Sequence, residues 1–243
     1  MLKTSRKQKL SIIIPCYNEE ESLPHLADQL KMVEPDLLKK YELEYLFVDD
    51  GSTDNTVHLL KTLFKNKRTK ILQHEKNKNL GASLKTAFKE ATGDLILTMD
   101  SDCTYPPTEI AKMLALLDDQ TDVVTASPYH PNGAVENVPK YRLFLSRTIS
   151  SIYSLILRKR IYTYTALFRV FRKEMLKNVD IRSDNFLGVT EFLIFSILQG
   201  YKVKEFPTTL HVRKYGVSKM KLFSIISSHI KFIIYLLKIK IKK

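Results

Sequence analysis

The sequence predicts an α/β fold built on a mostly parallel sheet flanked by helices, with an amphipathic helix at its C-terminal end. Short apolar runs rich in β-branched residues recur through the first half of the chain, with helix-period patterns between them. Those runs are continuously hydrophobic rather than alternating, as parallel strands covered on both faces must be. Polar and acidic residues gather where the predicted strands end, and ligands in such sheets bind outside the carboxyl ends of the strands.

Taken in order, strands are expected at 10–15, 45–50, 70–74, 94–100 and 122–127, with helices at 19–33, 53–65, 80–92 and 107–119. Asp54 and Asn79 sit near helix starts as caps, and Pro107 as a first-turn proline. After Ser127 the rhythm breaks into a Pro/Gly/Asn loop, PYHPNGAVENVPK, followed by a long basic amphipathic helix over 141–157. A strand over 165–172, a helix over 186–199 and a strand over 202–213 follow. The last apolar stretch, 222–237, is broken by His229 and Lys231, short of the ~18–20 apolar residues that span a bilayer. The chain is therefore read as one domain over 1–219 and an amphipathic basic helix over 220–243, suited to lie in an anionic membrane surface. The competing reading is a helix that completes the core.

Composition narrows the classes. A chain of 243 residues can bury a full core without staples. Cys16 and Cys103 are far apart and do not form a secreted disulfide framework, so a reducing, cytoplasmic setting at the inner face of a membrane is expected. The opening MLKTSRKQKL runs directly into a predicted strand and is not a signal peptide. The net charge of +13 is uneven: residues 1–125 carry 17 basic and 20 acidic side chains, residues 126–243 carry 22 and 6. The first half suits a divalent cation, and the second suits phosphates or anionic lipid. Charge alone also admits a nucleic acid, but no nucleic-acid motif accompanies it, and none is expected as partner. The seven glycines form neither a P-loop nor a G-x-G-x-x-G fingerprint, which excludes P-loop NTPases and ordinary dinucleotide enzymes. The six histidines have no metal-ligand spacing.

The first strand ends Pro15-Cys16-Tyr17-Asn18-Glu19-Glu20, the second Val48-Asp49-Asp50-Gly51-Ser52-Thr53-Asp54, whose carboxylates can accept from a base N–H or ribose hydroxyls or merely cap a turn. The fourth ends Met99-Asp100-Ser101-Asp102. In extended chain Asp100 and Asp102 point to one side, and two carboxylates so placed call for a hard cation, Mg²⁺ or Mn²⁺, bridging to phosphates.

Together, SIIIPCYNEE, FVDDGSTDNT, NKNLGASLKTAFKEATGDLILTMDSD and RKYGVSKM resemble family 2 glycosyltransferases of the GT-A (Rossmann-like) fold, especially the branch containing dolichol-phosphate mannosyltransferase. The resemblance covers nearly the whole chain. It implies inverting transfer of a hexose from a nucleotide-diphosphate sugar, GDP- or UDP-linked, to a polyprenyl phosphate, with a sugar hydroxyl of a polysaccharide or glycolipid as the alternative acceptor. It further implies that Pro15, Tyr17, Asn18, Glu19, Asp49 or Asp50, and Gly81 line the nucleotide-sugar pocket, and that Asp100 and Asp102 hold the metal and diphosphate. Ser127, Arg142, Ser146, Arg213 and Lys219 match positions that bind the acceptor phosphate. Glu191, in FLGVTEFLIF, stands where related hydroxyl-acceptor transferases carry a catalytic carboxylate.

Three departures bear on the acceptor side. A serine-arginine-tyrosine triplet reads Ser127-Pro128-Tyr129; a metal-binding glutamine is replaced by Thr104; an aspartate and Ser-Gly-Phe before Arg169 read Thr163 and Ala166-Leu167-Phe168. Residues 141–173 are basic with no acid, from Arg142 and Arg147 to Lys173, fitting either an anionic acceptor or a solvated face.

Overall fold

A computed structural model describes residues 7–216 and 222–241. The chain runs β1 (Gln8–Cys16), α1 (Leu23–Lys40), β2 (Tyr41–Asp49), α2 (Thr56–Leu63), β3 (Thr69–Gln73), α3 (Leu80–Glu90), β4 (Leu95–Thr98), a 3₁₀ turn and α4 (Ile110–Ala115), β5 (Val123–Ser127) and β6 (Ala134–Glu136). It continues through α5 (Lys140–Leu157), β7 (Arg169–Arg172), α6 (Leu187–Leu198), β8 (Val203–Pro207), β9 (Thr209–His211) and α7 (Leu222–Ile241). Seven strands form one sheet in the order β3-β2-β1-β4-β7-β5-β8, parallel throughout except for β7, which runs antiparallel between β4 and β5.

Side chains of β1 alternate between two cores. Leu10, Ile12 and Ile14 pack with α1, α2 and α4 on one face, and Ile13 joins α3, α5, α6 and α7 on the other. Buried on nearly every side, α6 reads as continuously apolar. The antiparallel β7 carries Arg169, which is 2% exposed. Its guanidinium donates to the carbonyls of Ala166 (2.8 Å) and Val189 (3.0 Å) and to Thr125 Oγ1 (3.2 Å), and lies against the Phe192 ring. Burial pulls its pKa down to about 9. It pins β5, the 166–168 segment and α6 together.

Several boundaries differ from expectation for identifiable reasons. The first helix starts at Leu23, because Glu19 and Glu20 are drawn into bonds with the loop after β2, and it runs on to Lys40 through Pro35. The helix after Pro107 stops at Ala115, and Asp118 then caps a turn by accepting the Gln120 amide (2.9 Å). The expected 202–213 strand divides at Pro207, which has no N–H to extend a ladder: β8 closes the edge of the main sheet, while β9 pairs in parallel with β6. The loop after Ser127 thus holds an unforeseen strand, and this two-stranded arm reaches the functional edge through the His211 amide, which donates to the Thr104 carbonyl (3.0 Å).

The last helix docks on α5. Phe232 and Leu236 enter the second core, and His229 Nδ1 meets the hydroxyl of the fully buried Tyr153 at 2.8 Å. Burial lowers the pKa of His229 from 6.5 to about 4. The folded state favours the neutral ring, so this contribution to stability is present above pH 6.5 and is lost as pH falls toward 4, by roughly 3 kcal/mol in all. Acid unfolding monitored between these values should show that slope in the wild type. His229→Gln, which keeps a hydrogen-bonding partner for Tyr153, should flatten it; an unchanged slope would contradict the assignment.

Candidate functional site

The loops that follow β1 and β2 are laced to each other. The Asn18 amide donates to Ser52 Oγ (2.9 Å) and the Thr53 amide returns a bond to Asn18 Oδ1 (2.8 Å). The Glu19 amide donates to Thr56 Oγ1 (2.7 Å), and Glu20 Oε2 accepts both the amide and the side chain of Asn55 (3.0 Å each). Asn18 adopts φ 52° to make this possible, and Asn79 and Cys103 are also left-handed, at 72° and 54°. Three strained residues at one sheet edge indicate geometry held for a purpose. Gly51, at φ +73°, lies so near the 76–77 backbone that a Cβ would fall 2.6 Å from the Lys76 carbonyl carbon.

Of the two aspartates ending β2, Asp50 is committed elsewhere. Its carboxylate accepts from the amides of Lys78 (2.9 Å) and Asn79 (2.7 Å) and meets His74 Nδ1 at 2.7 Å, while His74 Nε2 lies 2.9 Å from Thr86 Oγ1. It shapes the 74–79 turn. Asp49 receives long bonds from the Ser52 amide (3.3 and 3.4 Å), and partly exposed Pro15 and Tyr17 end the neighbouring strand.

Asp100 and Asp102 converge, though not by strand alternation: β4 ends at Thr98, and a turn with Cys103 left-handed folds the two carboxylates toward Glu19. Arg213 enters this cluster from the segment after β9. Its Nη2 pairs with Glu19 and its Nε lies 3.8 Å from Asp102. The segment is strapped down by the Gly216 amide, which donates to Glu21 (3.0 Å), and by Tyr215 against His25, ring centroids 5.5 Å apart. Lost hydration raises Asp100 to about 8, with Asp102 and Glu19 adding to the rise and Arg213 opposing it. A guanidinium therefore stands where the carboxylates demand positive charge. Among the described residues no group of three or more His, Cys, Asp or Glu encloses a metal. The protein would hold a divalent cation through Asp100 and Asp102 alone, leaving positions for phosphate oxygens and water, as Mg²⁺ and Mn²⁺ accept.

Other residues singled out from sequence fall elsewhere. Gly81 lets α3 approach the 183–185 backbone, where a Cβ would meet the Ser183 carbonyl at 2.2 Å. Glu191 holds the same loop from α6, accepting from the amides of Arg182 (2.9 Å) and Ser183 (2.7 Å) and from the Ser183 hydroxyl (2.7 Å). Ser127 is fully buried and bonded to Glu205 (2.6 Å) and Thr163 (3.0 Å). Arg142 turns to its neighbour Tyr141 (Nε to Oη, 3.3 Å), while Ser146 Oγ lies 2.8 Å from Thr165 Oγ1. Lys219 lies outside the described residues.

Sequence reasoning missed Tyr105, Tyr129 and Glu205. Tyr105 is buried and stacked on Phe168, and burial, with Tyr129 and Asp100 nearby, holds its hydroxyl well above its ordinary pKa. Glu205 gathers Ser127 and the amides of Tyr162 (2.9 Å) and Thr163 (3.1 Å). A lone acid in KVKEFP gives no periodic signal for that.

Comparisons with known proteins identify similar chains. Dolichol-phosphate mannosyltransferase of Pyrococcus furiosus is 33% identical over 215 residues, covering 88% of this chain, which spans 59% of that relative's length. Polyprenol monophosphomannose synthase of Mycolicibacterium smegmatis is 31% identical over 221 residues, covering 88% of this chain and 81% of that one. Glucosyl-3-phosphoglycerate synthase of Mycobacterium tuberculosis, solved in complex with Mn²⁺, uridine-diphosphate and glucosyl-3-phosphoglycerate, aligns with TM-score 0.69 at 15% identity, over 95% of this chain and 78% of that one, a likeness of fold. The same protein has been solved with Mg²⁺ and uridine-diphosphate, at TM-score 0.69 and 15% identity over 95% of this chain and 78% of that one. The family model for Glycosyl transferase family 2 matches residues 11–180, and this chain belongs to that family.

Proposed function

We propose that the chain transfers a hexose, with inversion, from a nucleotide-diphosphate sugar to a polyprenyl phosphate, at the cytoplasmic face of a membrane, with Mg²⁺ or Mn²⁺ held by Asp100 and Asp102. The observation that carries this is the carboxylate cluster compensated by Arg213, a cation position at the strand ends where a diphosphate binds. Names of the two relatives, a dolichol-phosphate mannosyltransferase and a polyprenol monophosphomannose synthase, support the acceptor class.

Asp49, Pro15 and Tyr17 would receive the nucleoside. An acceptor phosphate oxygen attacks the anomeric carbon as the bond to the diphosphate breaks, so one displacement inverts that centre. A bound cation would neutralise charge growing on the departing diphosphate. The acceptor arrives ionised and needs cations rather than a base, and Arg213 and α5 supply them. A panel of GDP- and UDP-sugars, with and without polyprenyl phosphate, should give transfer with one donor. EDTA and Asp102→Asn should each abolish it, the amide lacking the anionic oxygen a hard cation prefers. Full activity surviving both would refute the metal assignment.

A sugar hydroxyl as acceptor would require a general base, and Glu191 is the candidate. Both its oxygens already receive hydrogen bonds from the 182–183 loop, which favours the phosphate reading. Glu191→Gln should therefore cost about 1–3 kcal/mol of stability yet keep turnover within about tenfold below its melting point. A folded variant whose turnover collapses by ~10²-fold or more would favour the hydroxyl acceptor.

Membrane attachment rests on exposed apolar side chains of α5 and α7, including Phe144 (69% exposed), Leu155 (80%) and Phe223 (89%). Among the described residues no helix is long and apolar enough to cross a membrane. Residues 201–243 carry 11 basic groups and one acid, and surface lysines add ~1 kcal/mol each on anionic lipid. The full chain should sediment with phosphatidylglycerol vesicles, and Phe144→Asp with Phe223→Asp should weaken this at least about tenfold, each buried aromatic contributing ~1.5–3 kcal/mol. Binding unaffected by the pair would remove these helices from the membrane.

A further inference from the structure

One buried imidazole has a place in the structure but none in the proposed reaction. His74, its side chain 5% exposed, follows β3, the outermost strand beside β2. Its amide donates to the Asp49 carbonyl (2.9 Å), so the 74–79 turn begins against the residue that would receive the nucleoside. The ring is engaged on both nitrogens. A carboxylate only accepts, so Asp50 at 2.7 Å fixes the proton on Nδ1, and Nε2 faces the Thr86 hydroxyl of α3 at 2.9 Å.

Residues 75–79 are all polar and all exposed, and bring no apolar side chain to anchor the turn. Two contacts set where it stands. Gly51 lets the Lys76–Asn77 backbone pack against the loop after β2, and the Asp50 carboxylate takes the amides of Lys78 (2.9 Å) and left-handed Asn79 (2.7 Å). His74 orients that carboxylate and Thr86 orients His74, a supporting shell behind exposed residues. In the order β3-β2-β1-β4, Pro15 and Tyr17 stand on one side of Asp49 and the turn on the other. We propose that His74, oriented by Thr86, is a positioning residue for the nucleoside half of the donor: through Asp50 it holds the 76–79 turn as the outer wall of the nucleoside position. This rests on the functional reading given above and deepens it. The Asp100–Asp102 pair follows β4, beyond β1, so the part that meets the diphosphate is separate from this wall.

Calorimetric titration with GDP, UDP and Mn²⁺-pyrophosphate tests this. His74→Leu should raise the Kd of the nucleoside diphosphate that the wild type binds more tightly by about tenfold, the scale of one hydrogen bond to a charged group. The donor KM should rise with it while kcat and the acceptor KM stay nearly unchanged. Affinity for Mn²⁺-pyrophosphate should stay as in the wild type, a split that a general loosening of the fold would not give. His74→Asn, whose amide can donate to Asp50 in place of Nδ1, should recover most of the nucleotide affinity. Thr86→Val should weaken it by about threefold, the scale of a neutral hydrogen bond. A folded His74→Leu protein with unchanged nucleotide affinity, or with equal losses for nucleotide and pyrophosphate, overturns the inference and leaves the functional reading standing. Should His74→Leu fail to fold, unchanged nucleotide affinity in Thr86→Val overturns it equally. A wild type that takes neither GDP nor UDP overturns the functional reading as well.

Discussion

Asp100, Asp102 and Glu19 converge from the ends of two adjacent strands, and carboxylates so placed need a neighbouring cation or a bound proton. Everything at the functional edge answers to this. Arg213 supplies positive charge by pairing with Glu19 and approaching Asp102, and its segment is tied down by Glu21 and by the tilted ring contact of Tyr215 with His25. Burial raises Asp100 to about 8, with Asp102 and Glu19 adding to the rise and Arg213 opposing it. Under the proposed function a divalent ion would add positive charge at this cluster and bridge to a diphosphate.

Rigidity around the cluster comes from bonds between loops rather than within them. Backbone and side chain of Asn18, Glu19 and Glu20 are tied to residues 52–56, and Asp50 with His74 fixes the turn beyond. Left-handed Asn18 is held by this lacing, and preorganised donors and acceptors need no rearrangement when charge shifts during reaction. On the far side, Gly81 and Glu191 hold the 182–185 loop between α3 and α6, so carboxylate chemistry there serves architecture.

The parallel sheet and its first four helices were legible because fully buried strands read as apolar runs and helices show their period. The Asp100–Asp102 pair was visible as acids following a strand, whereas the turn that brings them together was not. Asp50, Gly81, Ser127 and Glu191 look like ligand-facing residues in one dimension. Their partners lie as much as 104 residues away in sequence, as with Gly81 and Asn185, and spacing carries no information on such contacts. Arg169 reads as surface charge, yet it is buried because backbone carbonyls of α6 and the 166 segment, rather than an acid, satisfy it. The antiparallel insertion of β7 and the β6/β9 arm depend on where the chain re-enters the sheet, which local pattern does not encode.

Titration of Mn²⁺ by calorimetry, with and without the nucleoside diphosphate, tests most directly whether the cluster is a cation site completed by phosphate. Two carboxylates alone bind weakly, so the diphosphate should tighten Mn²⁺ at least about tenfold, with the reciprocal gain for the nucleotide. Arg213→Gln should tighten Mn²⁺ alone, because the competing guanidinium is gone. Equal affinity under all these conditions would contradict the account.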